Sequence, residues 1–351
     1  MKVLALIEGG NAVCSRYRIE AFRKVMADRG MSLEIVPIEK GILGRIGNLR
    51  MAKNVDVVIL QRKLLPQWQI SLLRSWSRRL IFDVDDAIFQ RDSNNSKGPV
   101  SSSRSARYRA IVYRADAVIV GNEYLRQVTS AWTKPNRVFV IPTCIDTCKY
   151  RPAVHKRIGP EARLVWIGQQ STLQLLGNAK EQLSAVAERM PGMQFHQICD
   201  QSADFPGLEV VLRPWSMDGE AAVLAQGDIG IAWMPDDAWS LGKCGLKVLQ
   251  YMAAGLPVVA NPVGVHREMI IHGKTGFLAT TPQQWADSIV CLAADPELRN
   301  KMGNAGRELI EQRYNVGAWG PRFADLLHGY TKSIIPQIHH GENAVVRKIS
   351  A

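Results

Sequence analysis

The stretch 241–264, LGKCGLKVLQYMAAGLPVVANPVG, decides how the rest of the chain is read. It runs as a helical pattern, a glycine, a short β-branched run and a second glycine. At roughly 100° per residue, Lys243, Lys247, Gln250 and Ala254 fall within about 60° of one another, while Leu246, Val248, Leu249, Met252 and Ala253 cover the opposite arc. Gly255 suits the left-handed position just past a helix, and 256–260 is the kind of apolar run buried on both faces of a parallel sheet. Two readings follow from periodicity alone. One is an amphipathic helix on a sheet, its lysines merely solvated. The other is a phosphate site, because a helix N-terminus and two ammonium groups on one stripe present positive potential.

Working outward, strand-like runs recur at 2–7, 33–37, 55–60, 80–84, 117–121 and 138–141, separated by helical patterns at 16–29, 67–78 and 123–132. Further strands are expected at 163–168, 194–198, 210–212, 229–233 and 257–260, and a helix at 319–335. Such alternation predicts α/β architecture with doubly wound parallel sheets. A chain of 351 residues, 46% hydrophobic and 22% charged, is too long for one ordinary core, so two domains are expected. The serine-rich stretch 91–105 reads as a mobile loop, and 273–278 as a turn.

Charge is divided unevenly. Residues 1–150 hold 25 Lys and Arg against 13 Asp and Glu, a difference of 25 − 13 = +12, whereas 151–351 hold 19 against 19. A basic half suits nucleic acid, an anionic membrane surface or an anionic acceptor. Without a zinc-finger or RNA-recognition motif, nucleic acid ranks last. The six cysteines lack metal-ligand spacing and read as reduced thiols. No apolar run reaches the roughly 20 residues that span a bilayer, and MKVLALIEGG does not read as a signal peptide, so a cytoplasmic protein is expected.

The run GLKVLQYMAAGLPVVANPVG resembles the donor-site signature "GL..LE.MA.G.PVVA..VG" of nucleotide-sugar glycosyltransferases of family 4. SRYRIEAF at 15–22 is similar to that family's first helix, and IPTCIDTCKYRP, from Ile141, to its interdomain crossover. The resemblance implies the GT-B fold, two facing Rossmann-like domains with a cleft between them. It divides the chain into an acceptor-side domain over 1–150, a nucleotide-sugar donor domain over 151–320, and a C-terminal helix over 321–351 that returns to the first domain before a loose tail. It also implies transfer of a sugar from a nucleotide diphosphate sugar with retention of anomeric configuration, in cell-envelope, glycolipid or polysaccharide synthesis, without metal or cofactor. The protein would be peripheral on the inner membrane face if its acceptor is lipid-linked.

The chemistry requires that the leaving diphosphate's charge be neutralised and the acceptor hydroxyl positioned. Lys243 and Lys247 are the candidates for the diphosphate, helped by backbone near Gly264 and at Gly168, with Ser171 and Thr172 donating hydrogen bonds. Relatives carry a glutamate at each end of the signature helix, where this chain has Gly242 and Gln250. Gln250 can still reach a ribose through its amide. Glu268 matches a glutamate after the glycine turn in relatives, and the adjacent His266 reads more readily as structural. Asp83, Asp85 and Asp86 in IFDVDDAIF follow a predicted strand. Asp85 or Asp86 could assist the acceptor hydroxyl, Asp83-Val84-Asp85 could imitate a metal motif, or all three could cap and pair with arginines. Gly10, Arg16 and Arg18 would face an acceptor or the diphosphate if the resemblance holds; otherwise the arginines read equally well as ordinary surface side chains, and the Gly9-Gly10 loop lacks the spacing of a dinucleotide fingerprint. Two other readings stay open: an epimerase or hydrolase of nucleotide sugars, and a non-catalytic binding module on the same fold.

Overall fold

The computed structural model describes residues 1–9 and 13–329. The first six strands are β1 (Lys2–Ile7), β2 (Ser32–Pro37), β3 (Val57–Gln61), β4 (Arg79–Val84), β5 (Ala117–Val120) and β6 (Val138–Val140), which form one parallel sheet in the order β2-β1-β3-β4-β5-β6. The next six are β7 (Leu164–Ile167), β8 (Gln194–Ile198), β9 (Glu209–Arg213), β10 (Ile229–Ala232), β11 (Val258–Ala260) and β12 (Gly276–Leu278), again parallel, in the order β12-β11-β10-β7-β8-β9. The central strands are buried on both faces, which is why they read as continuous apolar runs, while the outer strands β2 and β9 are partly exposed. Along β1, Leu4 and Leu6 enter one core while Val3, Ala5 and Ile7 enter the other.

The two sheets reverse strand order at different places. In the first the reversal lies between β1 and β3, and in the second between β7 and β10. Ligands of open α/β sheets sit beyond the carboxyl ends of strands at such reversals, so two crevices are defined before any side chain is considered.

Several expectations need correction. The helix anticipated over 16–29 is broken into Val13–Arg18, a 3₁₀ turn Glu20–Phe22 and Arg23–Asp28. Ile19 leaves the helical region at φ −122°, which lets Arg18 turn inward beneath the sheet's end. The loop expected over 91–105 ends at residue 101. Ser101 caps helix Ser102–Arg114 by accepting from the Arg104 N–H, so a serine run read as loop is a helix start. The turn expected over 273–278 contains β12, whose three residues are too few to show a period.

The chain crosses between domains after β6 and comes back at its end. Ala153 donates to the Ala254 carbonyl at 2.8 Å, and Arg307 holds the carbonyls of Thr147 and Tyr150 at 3.1 and 2.8 Å. Helix Val316–His328 then packs on the first domain, with Phe323 stacked on Phe22 at 4.6 Å and Arg29 paired with Asp325. The part of the expected helix and tail from residue 330 onward lies outside the described residues.

Candidate active site

The signature is two helices and a turn. Helix Ala238–Leu241 ends at Gly242, and helix Leu246–Ala253 starts after Gly245, which takes the left-handed backbone at φ 66°. Lys243 therefore sits in the turn and Lys247 on the helix, which corrects the single stripe that an unbroken helix would give. Behind them Tyr251 anchors the helix to the second sheet, accepting from the Ile167 N–H and donating to the Ile231 carbonyl, both at 3.1 Å.

The turn places Gly242 against the first domain. A Cβ built there would lie 2.6 Å from the Ala87 backbone nitrogen and 2.7 Å from its Cβ. In this closed arrangement no side chain fits at 242, so the absence of a carboxylate there has a steric cause. On either side the seam is hydrogen-bonded: Asn122 Nδ2 donates to the carbonyls of Leu241 and Lys243 at 3.0 and 2.9 Å, and Cys244 Sγ to the Asp85 carbonyl at 3.1 Å.

Lys243 meets the acidic cluster. Its Nζ lies 3.1 Å from Asp86 Oδ1 and 5.1 Å above the Trp239 ring. The Arg62 guanidinium closes the group, 3.2 Å from Asp85 Oδ1 and 2.8 Å from Asp86 Oδ2. Arg62 follows β3 at the first reversal and holds φ 56°, the one non-glycine at positive φ among the described residues. For a long side chain that backbone is uncommon and is kept only when its surroundings fix it, as functional sites often do.

The two carboxylates are driven apart. Burial pushes Asp85 above the usual carboxylate range, with Arg62 opposing and Asp86 adding to the rise. Burial also acts on Asp86, but Lys243 and then Arg62 outweigh it and hold that carboxyl below the usual range. Neighbouring acids separated in this way can hold different protonation states at one pH.

Asp83 belongs elsewhere. It is fully buried beneath Arg18, whose Nη2 reaches Oδ1 at 2.6 Å while Nη1 donates to the Ile141 carbonyl at 2.7 Å. Arg18 is thus a structural pair inside the first domain and not a cleft cation, and Asp83 and Asp85 do not converge as a metal motif. Among the described residues no three His, Cys, Asp or Glu side chains gather in a metal-holding group.

Arg16 does face the cleft, and the second domain occupies it. Its Nη2 lies 2.5 Å from Glu220 Oε1, which also accepts from the Tyr17 hydroxyl at 2.7 Å; Trp215 Nε1 donates to Glu220 Oε2 at 2.9 Å. Gln250, expected at a ribose, is buried here and directs its amide at the hydroxyls of Tyr17 and Tyr150, at 3.1 and 3.3 Å. These contacts bind the domains together along one edge of the cleft.

Lys247 is held differently from Lys243. Its Nζ lies 5.0 Å above the Trp166 ring and 3.3 Å from Thr172 Oγ1, and no carboxylate pairs with it among the described residues. Burial, then the charge of Lys243, lowers its pKa to about 8. It is a cation beside the second reversal, next to Gly168 at the end of β7.

The Thr172 hydroxyl donates to the Gln169 carbonyl at 2.9 Å and accepts from the Gln169 N–H at 3.1 Å, so it caps helix Gln170–Leu176. Ser171 is exposed, and its carbonyl receives Asn94 Nδ2 from the first domain at 3.2 Å. Gly264, at φ 49°, packs near Ser240 and Leu241. Glu268 is exposed on helix His266–Met269, while His266 is buried with Nδ1 3.0 Å from the Asn261 carbonyl and a pKa lowered by burial to about 4, hence neutral. Gly10 lies outside the described residues.

Arg62, Tyr17, Tyr150, Asn122 and Glu220 were not legible as site residues. For Arg62 a signal existed: it follows β3 directly, and β3 borders the first reversal. The other four join the site through contacts at least 100 residues apart in sequence, which no local pattern reports.

Residues 238–309 match the family model described as Glycosyl transferases group 1. Over 174 residues the chain is 24% identical to the trehalose synthase of Pyrococcus horikoshii; that alignment covers 46% of this chain and 41% of the relative's own length. Among solved structures, the sucrose-phosphate synthase from Thermosynechococcus elongatus superposes with a TM-score of 0.73 at 15% identity, covering 95% of this chain and 100% of that one. Anabaena Alr3699/HepE in complex with UDP and glucose superposes at 0.67 with 16% identity, covering 94% and 100%. At such identities the likeness is one of fold, and the fold is GT-B: two facing α/β domains, each a parallel six-stranded sheet flanked by helices.

Proposed function

We propose that this chain transfers a sugar from a nucleotide diphosphate sugar to an acceptor hydroxyl, with the first domain on the acceptor side and the second holding the donor. The observation that carries the reading is the meeting of Lys243, from the donor signature, with Asp86, from the end of β4, at 3.1 Å across the cleft. A cation and a carboxylate held there are what leaving-group stabilisation and hydroxyl positioning require of opposite walls.

The donor diphosphate lies along Lys247 and the N-terminus of helix Leu246–Ala253, and takes Lys243 from Asp86 as it binds. Asp86, ionised, then accepts a hydrogen bond from the acceptor hydroxyl. The C–O bond to the phosphate breaks as the hydroxyl oxygen attacks the same face of the sugar, and the hydroxyl proton passes to the departing phosphate oxygen, so configuration is retained. The solved structure of HepE holds UDP and glucose, which makes uridine nucleotides the first donors to try. Among the described residues no helix is long and apolar enough to cross a membrane; a position on the inner membrane face would come from the acceptor, in cell-envelope or glycolipid synthesis.

The test is to follow the donor's anomeric proton by NMR with and without a mixture of saccharide and glycolipid acceptors. Consumption that requires acceptor and yields product of unchanged anomeric configuration is expected. Consumption at the same rate without acceptor would make the chain a hydrolase or epimerase, and absence of any donor contact would make it a binding module.

A further inference from the structure

The cleft continues, on the first-domain side, into a cavity of about 970 Å³. Its floor includes Leu64, Pro66 and Ile88, and Trp239 of the second domain forms part of its wall. Seven lining residues are cationic, set among the neutral Asn95, Ser96, Ser101 and Ser103. Arg62 and Lys63 come from the end of β3, Arg91 and Lys97 from the loop 91–101, and Arg104 and Arg107 from helix Ser102–Arg114; the one carboxylate in the lining, Glu8, already pairs with Lys63 at 3.4 Å.

Beyond Arg62 and Lys63, which pair with Asp85, Asp86 and Glu8, the named cations Arg91, Lys97, Arg104 and Arg107 have no carboxylate partner among the described residues. Arg104 donates to the Ile88 carbonyl at 3.2 Å, and Arg91 to loop carbonyls at 3.2 and 3.3 Å, bonds that orient the guanidinium groups and leave their charge unmet. Arg104 and Arg107 also sit three residues apart near the start of a 13-residue helix with no acidic residue in its first turn. The helix dipole places positive potential at that end, so cations there are unfavourable unless an anion joins them. A solvated basic face would not require loop carbonyls aiming the guanidinium groups or an aromatic side chain supplied by the opposite domain.

Arg62 links this cavity to the chemistry, because it lines the cavity and holds both Asp85 and Asp86. We propose that the cavity binds the acceptor by an anionic group, a phosphate or carboxylate carried on the molecule that receives the sugar, so that its hydroxyl reaches Asp86. The proposal rests on the glycosyltransferase reading above. Bidentate guanidinium contacts fix orientation as well as charge, which is what an acceptor needs if one of its several hydroxyls is to react.

The test uses one disaccharide in three forms: neutral, carrying a phosphate, and carrying the same phosphate on a long-chain lipid in phosphatidylcholine vesicles. Calorimetry should show the phosphorylated forms binding at least about tenfold more tightly than the neutral sugar, a preference lost in Arg104→Gln/Arg107→Gln. Stronger binding of the lipid form than of the soluble phosphate would identify a membrane-borne acceptor, and equal binding a soluble one. A neutral sugar bound as well as its phosphate, or a preference that survives the double substitution, overturns the proposal. Nucleotide binding measured on the same variant separates the two levels. If nucleotide binds and the phosphate preference is absent, the cavity assignment alone falls; if nucleotide does not bind the wild type either, the donor reading falls with it.

Discussion

Lys243 and Lys247 stand four positions apart in one signature and are held by opposite means. Lys243 lies in the turn before the helix, paired across the domain seam with Asp86 at 3.1 Å. Lys247 lies on the helix within the second domain, over Trp166, with Thr172 as its hydrogen-bond partner and its pKa lowered by burial to about 8. A diphosphate arriving at Lys247 meets an ammonium that no carboxylate has neutralised, whereas at Lys243 it must displace a carboxylate. The difference assigns them separate tasks. In the proposed function Lys247 supplies donor affinity, and Lys243 couples donor binding to the state of Asp86 and to domain closure.

Three substitutions or titrations bear on that division, in decreasing order of expected effect. Asp86→Asn should lower transfer by roughly 10²-fold, the order of the cost of a mispositioned acceptor hydroxyl. The same variant should bind nucleotide at least as well as the wild type, because Lys243 is released. Weaker nucleotide binding in a calorimetric titration would mean that Asp86 does not compete with the donor. Gly242→Glu would place a carboxylate where the family resemblance expects one and where the Ala87 backbone stands. Overpacking of about 1–3 kcal/mol should loosen the closed arrangement, lowering turnover by tenfold or more and enlarging the radius of gyration in small-angle scattering. An unchanged radius together with unchanged turnover would show that the seam at Ala87 does not limit position 242.

The smallest effect is in pH. Lys247 carries its charge below about pH 8 in the free protein and loses it above. A bound diphosphate favours the charged form, so affinity should fall as pH rises through 8, by at most about tenfold per unit, with uptake of up to one proton on binding. Titrations at pH 9 in buffers of different ionisation enthalpy would detect that proton. Identical apparent enthalpies in all buffers would place the diphosphate away from Lys247.

The central parallel strands were legible because they are buried on both faces, and Gly255 marks the end of one helix. What was misread at 243 follows from Gly245. Helical periodicity continues through it on paper, but its left-handed backbone moves Lys243 off the stripe and into the seam. Arg18 was misplaced for a related reason, since a break at Ile19 sends a surface arginine inward to Asp83. Asp85 and Asp86 were singled out in the sequence because a carboxylate pair after a strand is a local feature, and the structure sets them beside Arg62 and Lys243. Glu220, Tyr17 and Gln250 assemble only when two domains close, so their arrangement belongs to tertiary geometry.

The most direct test of the division between the lysines is to titrate the best-bound of UDP-, GDP-, ADP- and dTDP-sugars into wild type, Lys247→Met and Lys243→Met at pH 7. Loss of a charge-assisted contact in a partly buried site, about 2–3 kcal/mol, predicts affinity roughly 30- to 150-fold weaker for Lys247→Met. A loss of only a few-fold is predicted for Lys243→Met, where removal of the Asp86 pair offsets the lost contact. Equal losses in the two variants, a larger loss at Lys243, or no binding of any donor to the wild type would contradict the account.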